Sequence, residues 1–78
     1  MTGSSKIRPG PQGLAAKPTA ITQSRTRAGL SVTDLARAVG LSHGHISNVE
    51  NGRRRVSPRH AAAIAEAVGA EIGDLFQL

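Results

Sequence analysis

The residues of this chain that could do chemistry lie between positions 42 and 55. A stretch of mostly polar and small residues, SHGHISN at 42–48, holds two histidines and no acid. Three consecutive arginines follow at 53–55. Histidine, serine and asparagine side chains form hydrogen bonds, and guanidinium groups pair with phosphates. This composition predicts a surface that binds a polyanion.

The same residues do not suggest a catalytic or metal-binding set. The chain has no cysteine, and no nucleophile, base and orienting group can be recognised together. Among the histidines His43, His45 and His60, the first two are separated by one residue, so on a helix they do not share a face. A chain of 78 residues also buries only about 60% of its unfolded surface, which leaves no room for a deep cleft. We therefore expect no enzyme activity, metal, cofactor or small-molecule ligand.

Positive charge is concentrated in the first three quarters of the chain. The net charge is +5, and the pI is near 11.5. Residues 1–18 carry three basic residues and no acid, residues 19–60 carry seven arginines and two acids, and residues 61–78 carry three acids and no lysine or arginine. This asymmetry predicts one face for a polyanion and a different role for the C-terminal end. Phe76 is the single aromatic residue, which argues against a binder that stacks single-stranded bases on aromatic rings.

The hydropathy pattern favours a cytoplasmic protein without a membrane partner. No apolar run approaches the ~20 residues that span a membrane. The first basic residues are not followed by the apolar stretch of a secretory signal.

The spacing of apolar and capping residues predicts five helices and no strands. Ser31 with Asp34 resembles a capping box, Pro58 suits a first helical position, and Gly40 suits the end of a helix. The predicted helices cover about 19–28, 32–39, 43–50, 58–68 and 72–76. The predicted fold class is all-α, with one domain at residues 19–78.

Residues 32–51 have the pattern of two short helices that cross at a steep angle. Ala36 is small where the helices would cross, and Gly40 allows the turn between them. The apolar residues that would lock the pair are Leu35, Val39, Ile46 and Val49. The outer face of the second helix is then polar or small and free of acid, so it could enter the major groove of duplex DNA, about 12 Å wide, without repulsion from phosphates.

The string LSVTDLARAVGLSHGHISNVENGRRR, followed by SPRHAAAIAEAVGAEIGDLF, resembles the lambda-repressor-like helix-turn-helix family of Cro and cI type. The similarity runs from about Ile21 to Phe76. It implies a five-helix domain that binds operator DNA, usually as a two-fold dimer.

The resemblance also implies roles for individual residues. In the recognition helix, the second of the crossing pair, the residues implied to read bases are Ser42, His43, Gly44 and Asn48. The residues implied to contact phosphates are Ser31, Thr33, His45, Ser47, Asn51, Arg53, Arg54 and Arg55. Asparagine pairs naturally with adenine, and histidine with guanine or a phosphate. Arg25 and Glu50 match a structural ion pair between helices one and three. The alternative for the arginines is a merely solvated loop.

Two positions depart from the family pattern. The family usually has glutamine at the position of Val32, where it bridges a phosphate and the recognition helix, and Thr33 could replace part of that bridge. Gly44 lies inside a helix, at a cost of about 1 kcal/mol relative to alanine. It is either a poorly optimised surface position or a place where the bare backbone approaches the bases. Specificity must then rest on fewer side chains or on DNA shape.

Residues 1–18 are predicted to form a flexible basic arm. They are rich in glycine, proline and serine, so burial cannot offset the entropy of ordering them. Lys6, Arg8 and Lys17 could reach along a DNA groove or the backbone, as arms do in other helix-turn-helix proteins. The alternative is an inert tail.

Three functions are open at this stage. The first is a Cro-like repressor of a phage or mobile element that binds double-stranded DNA as a homodimer, favoured because no second domain for sensing is evident. The homodimer could form only on DNA, with a monomer when free. The second is the DNA-binding antitoxin of a toxin pair, in which only residues 1–18 could bind the toxin. The third is an architectural protein that binds DNA without sequence preference.

Overall fold

Five short helices build the fold. The computed structural model describes residues 13–78. The helices are α1 Ala20–Arg27, α2 Val32–Val39, α3 His43–Glu50, α4 Pro58–Val68 and α5 Ile72–Leu75. Within residues 13–78 the only β pairing consists of two isolated bridges. The prediction of an all-α, five-helix domain is confirmed, and the predicted helix ends differ from the observed ones by at most one residue.

Serine side chains set the starts of three helices. Ser31, Ser42 and Ser57 each accept a hydrogen bond from the backbone N–H three residues later, over 3.0, 3.0 and 3.2 Å. At α2 the arrangement is reciprocal, because the Ser31 N–H also donates to the Asp34 carboxylate over 3.0 Å. These hydrogen bonds from Ser31 lower the pKa of Asp34. Such caps stabilise a helix by about 1 kcal/mol each, so the beginnings of α2, α3 and α4 are fixed locally.

The helices enclose one apolar core. Its largest fully buried side chains are Ile21, Leu35, Ile46, Val49, Ile64, Leu75 and Phe76. α2 packs against both α3 and α4. Gly40 ends α2 with a φ of 77°, which glycine adopts without steric cost, and the Leu41 N–H then donates to the Ala36 carbonyl over 3.0 Å. α3 is thereby held by its inner face, Ile46 and Val49, and its opposite face is directed outward.

An extended segment, residues 14–17, crosses the domain before α1, and we refer to it as the strap. Leu14 pairs with Val56, where the two residues exchange N–H···O hydrogen bonds of 2.7 and 3.1 Å. Ala16 pairs with Phe76, flanked by bonds from the Lys17 N–H to Leu75 and from the Gln77 N–H to Ala15.

The strap differs from the flexible arm predicted for residues 1–18. Ala16 is buried in the core, and backbone pairing replaces the water that an open chain would bind. Lys17 belongs to the strap and has an exposed side chain. Lys6 and Arg8 lie outside the described residues. No helix in the described part of the chain is long and apolar enough to cross a membrane.

Candidate nucleic-acid interface

The outer face of α3 starts with three exposed residues. Ser42, His43 and Gly44 are exposed, and Ser47 and Asn48 are half-buried. At Gly44 an added Cβ would meet no atom within 4 Å, so the surface is open there. The four residues predicted to read bases therefore lie at the start of α3 and one turn further along it.

A side-chain contact joins the starts of α2 and α3. Thr33 Oγ1 lies 3.0 Å from His43 Nδ1, and both residues are exposed. Thr33 is the second residue of α2, and His43 is the first residue of α3. The contact lies next to Val32, where the family's bridging glutamine is missing, and it links helix two to the recognition helix in this chain.

The start of α2 offers free backbone donors beside this contact. The N–H groups of Val32 and Thr33 precede any possible intrahelical acceptor, whereas the Ser31 and Asp34 amides are occupied within the capping box. Free N–H groups at a helix start, with the positive end of the helix dipole, favour an anion such as phosphate. Ser31 and Thr33 thus lie where a phosphate can be bound.

The arginine loop, residues 53–55, is exposed and held at both ends. The N–H groups of Arg53 and Arg54 converge on the backbone carbonyl of Asn48, over 2.8 and 3.3 Å. Val56, which follows, is buried and paired with Leu14 of the strap. Because both ends are fixed, the three guanidinium groups are kept near the end of α3. Asn51 is the C-cap of α3, is exposed, and comes two residues before the arginine loop.

The ring of His45, a predicted phosphate contact, is partly enclosed by protein. Its ring is half-buried, and Nε2 is enclosed without a hydrogen-bond partner. Burial, followed by the nearby positive charges of Arg54 and His60, lowers the pKa of His45. His45 lies about 200° around the helix from His43, which turns its ring away from the face on which His43 is exposed. His45 Nε2 is thus enclosed by protein, and a phosphate contact of His45 stays a prediction.

Arg25 and Glu50 form a salt bridge between α1 and the end of α3. Arg25 Nε donates to Glu50 Oε2 over 2.8 Å, and the Thr22 hydroxyl donates to Oε1 over 2.8 Å. A further bond runs from Arg25 Nη1 to the Leu30 carbonyl over 2.9 Å. The Arg25 and Glu50 side chains are 14% and 8% exposed, so removing one partner would leave a poorly solvated charge. The pair fixes the C-terminal end of α3 and lies off its exposed face.

Sequence reasoning missed the residues that hold the arginine loop. Leu14 and Ala16 are apolar and two residues apart, and Val56 is a lone apolar residue after three arginines. Because Ala15 between Leu14 and Ala16 is also apolar, the segment shows no apolar and polar alternation, and no local strand signal could have found this pairing. In residues 13–78 no three histidine, aspartate or glutamate side chains come together in a way that could hold a metal ion.

The fold and this surface define a helix-turn-helix DNA-binding domain, with α2 and α3 as the motif. The family model for the helix-turn-helix domain matches residues 20–77, and the chain belongs to this helix-turn-helix family, of lambda-repressor-like type.

Two solved structures with the same fold are regulators. The chain is 34% identical to the clp gene regulator ClgR from Corynebacterium glutamicum, with a TM-score of 0.68 over 72% of this chain and 60% of that chain. It is 32% identical to the restriction-modification controller protein C.AhdI from Aeromonas hydrophila, with a TM-score of 0.66 over 72% of this chain and 85% of that one. The similarity therefore spans less than two thirds of that ClgR chain. No curated protein sequence gives a significant match.

Proposed function

We propose that this protein is a sequence-specific regulator that binds double-stranded DNA as a homodimer and represses transcription by occupying promoter DNA, in the manner of a Cro-like repressor of a phage or mobile element. The observation that carries the proposal is the acid-free outer face of α3. It lies between two groups of hydrogen-bond donors that can bind DNA phosphates. These donors are the free amides at the start of α2 and the arginine loop.

Each part of the surface has a separate role in this proposal. Ser42, His43 and Asn48 make hydrogen bonds to base edges, and Gly44 lets the helix backbone come close to them. Phosphate contacts position the helix but carry no sequence information. They come from Ser31, Thr33, Ser47, Asn51, Arg53, Arg54 and Arg55.

The homodimer follows from the geometry of duplex DNA. Two copies related by a two-fold axis place their α3 helices in successive major grooves, about 34 Å apart. Three acidic residues, Glu66 in α4, Glu71 at the N-cap of α5 and Asp74 in α5, are exposed and lie outside the arginine loop and α3. Leu78 is 82% exposed and supplies apolar surface next to α5 for a second copy.

In vitro selection from a random duplex pool tests the proposal. We expect enrichment of a symmetric motif whose half-sites lie about one helical turn apart. The selected site should then bind at least about 10³-fold more tightly than random DNA at physiological salt. Equal affinity for both, with a steep salt dependence, would instead identify a non-specific architectural binder. Co-purification with the product of a neighbouring gene would identify an antitoxin. Insertion of the selected site into a reporter promoter separates repression from activation.

A further inference from the structure

The contact between Thr33 and His43 fixes the chemistry of a base-reading side chain. A neutral imidazole has one nitrogen that donates and one that accepts, and the hydrogen bond made by one nitrogen decides the role of the other. Here Nδ1 is 3.0 Å from Thr33 Oγ1. The remaining nitrogen, Nε2, belongs to an exposed residue at the start of α3.

The surroundings of Nδ1 favour its role as acceptor. Thr33 is the second residue of α2, and His43 is the first residue of α3, so Nδ1 lies near the positive ends of two helix dipoles. A lone pair is more stable there than an N–H group, whose hydrogen carries partial positive charge. Asp34, the acid in the first turn of α2, accepts from the Ser31 N–H. This environment favours donation from the Thr33 hydroxyl to Nδ1, which leaves the proton of the neutral ring on Nε2.

We propose that Thr33 is a positioning residue for base recognition: it holds His43 with Nε2 protonated, so that His43 selects guanine in the major groove. This inference rests on the proposed function. An Nε2–H donor needs an acceptor. Guanine offers two in the major groove, N7 and O6, whereas adenine and thymine offer one each, N7 and O4, and cytosine offers only its N4 amino donor. The opposite tautomer would present an acceptor and would select the amino group of cytosine or adenine.

Nitrogen NMR of the full chain, without DNA, tests the tautomer. The His43 ring should show the Nε2–H form in the wild type and in Thr33→Ser, which keeps the hydroxyl. Thr33→Val keeps the shape and removes the donor, so the fraction of the Nε2–H form should fall to that of an unconstrained neutral histidine. Thr26→Val, another exposed threonine, in α1, is the matched control and should leave His43 unchanged. An Nδ1–H form in the wild type, or no change in Thr33→Val, would overturn the proposal.

Selection on DNA tests the consequence for recognition. His43→Ala should relax one position that is guanine for the wild type. Thr33→Val should lower discrimination at that same position by roughly three- to tenfold, the worth of one hydrogen bond, and Thr33→Ser should restore it. If the position that relaxes in His43→Ala is cytosine or adenine for the wild type, guanine selection through Thr33 is refuted. Full discrimination at that position in Thr33→Val would refute it as well. If the wild type enriches no motif, the proposed function fails, and guanine selection fails with it. The NMR experiment is made without DNA, so it decides the tautomer independently of that outcome.

Discussion

The two sides of the candidate DNA surface are held by different kinds of contact. At the start of α3 the partners are close in sequence: Ser42 caps the amide three residues later, and Thr33 meets His43 ten residues away. The arginine loop depends on partners 42 residues away, through Leu14 with Val56 and through the Gly13 carbonyl, which accepts from Arg55 Nη1 over 3.4 Å. Single substitutions at the start of α3 should therefore change the proposed base readout alone, whereas the proposed phosphate contacts of the arginine loop are tied to the strap and the core.

The largest effect is expected at the far end of the strap. Phe76 is fully buried and pairs with Ala16, so Phe76→Ala should cost about 3–5 kcal/mol of unfolding free energy. That is much of the stability of a small domain. Urea unfolding followed by circular dichroism measures it. Gln77→Ala, at the neighbouring exposed position, keeps the backbone bond to Ala15. It is the control and should change stability by less than about 0.5 kcal/mol; equal losses would contradict the role of Phe76.

The next largest effect is expected from a substitution that breaks the pairing between the strap and the end of the arginine loop. Gly13 has a φ of 97°, and a Cβ there would overlap the Val56 carbonyl oxygen. Gly13→Ala should therefore cost about 1–3 kcal/mol in backbone strain and detach Leu14 from Val56. Hydrogen exchange of the Leu14 and Val56 amides would show the loss of pairing directly.

A second glycine distinguishes steric overlap from backbone preference. Gly29 also has a positive φ of 78°, but a Cβ there meets nothing within 4 Å. Gly29→Ala should destabilise the domain without faster exchange at Leu14 and Val56. Faster exchange in both variants would mean that the close approach at Gly13 is not what secures the loop.

The contrast between local contacts and contacts of residues far apart in sequence explains what the sequence could predict. The five helices follow from signals within a few residues, such as Ser31 with Asp34 and the glycine after α2, and the structure confirms them. The strap was missed because its pairing joins Leu14 to Val56 and Ala16 to Phe76, and contacts at such separation leave little trace in local composition. The Thr33–His43 contact was only partly foreseen, since the orientation of a side chain depends on how α2 and α3 cross. The base and phosphate roles of the surface residues stay predictions.

Asn48→Ala probes the readout side without disturbing the loop. The loop amides of Arg53 and Arg54 bond to the backbone carbonyl of Asn48, which alanine retains. We expect a loss of roughly 1–3 kcal/mol on the cognate site, with one base position relaxed. Competition binding with cognate and random duplexes measures it. An equal loss on both duplexes would show that Asn48 does not read a base.

Arg54→Ala probes the phosphate side. Its guanidinium is exposed, so the substitution should weaken cognate and random DNA alike and reduce the slope of log K against log salt by about 1. Arg37→Ala removes the same charge from the last turn of α2, at the other end from its free amides, and should change the slope less. A loss of affinity for the cognate site alone would mean that Arg54 reads a base rather than a phosphate.

The smallest effect concerns the enclosed ring of His45, near the charges of Arg54 and His60. Burial and the charges of Arg54 and His60 hold the pKa of His45 below its usual value of 6.5, so the unfolded chain binds a proton at this residue more readily than the folded one. The stabilising contribution of neutral His45 is therefore complete above pH 6.5 and is lost as the pH falls from there through the lower folded pKa.

His45→Gln should remove that part of the pH dependence, because glutamine does not titrate. Urea unfolding at pH 7.5 and pH 5.5 should show a smaller difference for His45→Gln than for the wild type. Asn48→Ala, a non-titrating change at a half-buried position of the same helix, should keep the wild-type difference. An unchanged difference in His45→Gln would mean that the enclosed ring between the arginine loop and α4 takes up its proton as readily in the folded chain as in the unfolded one.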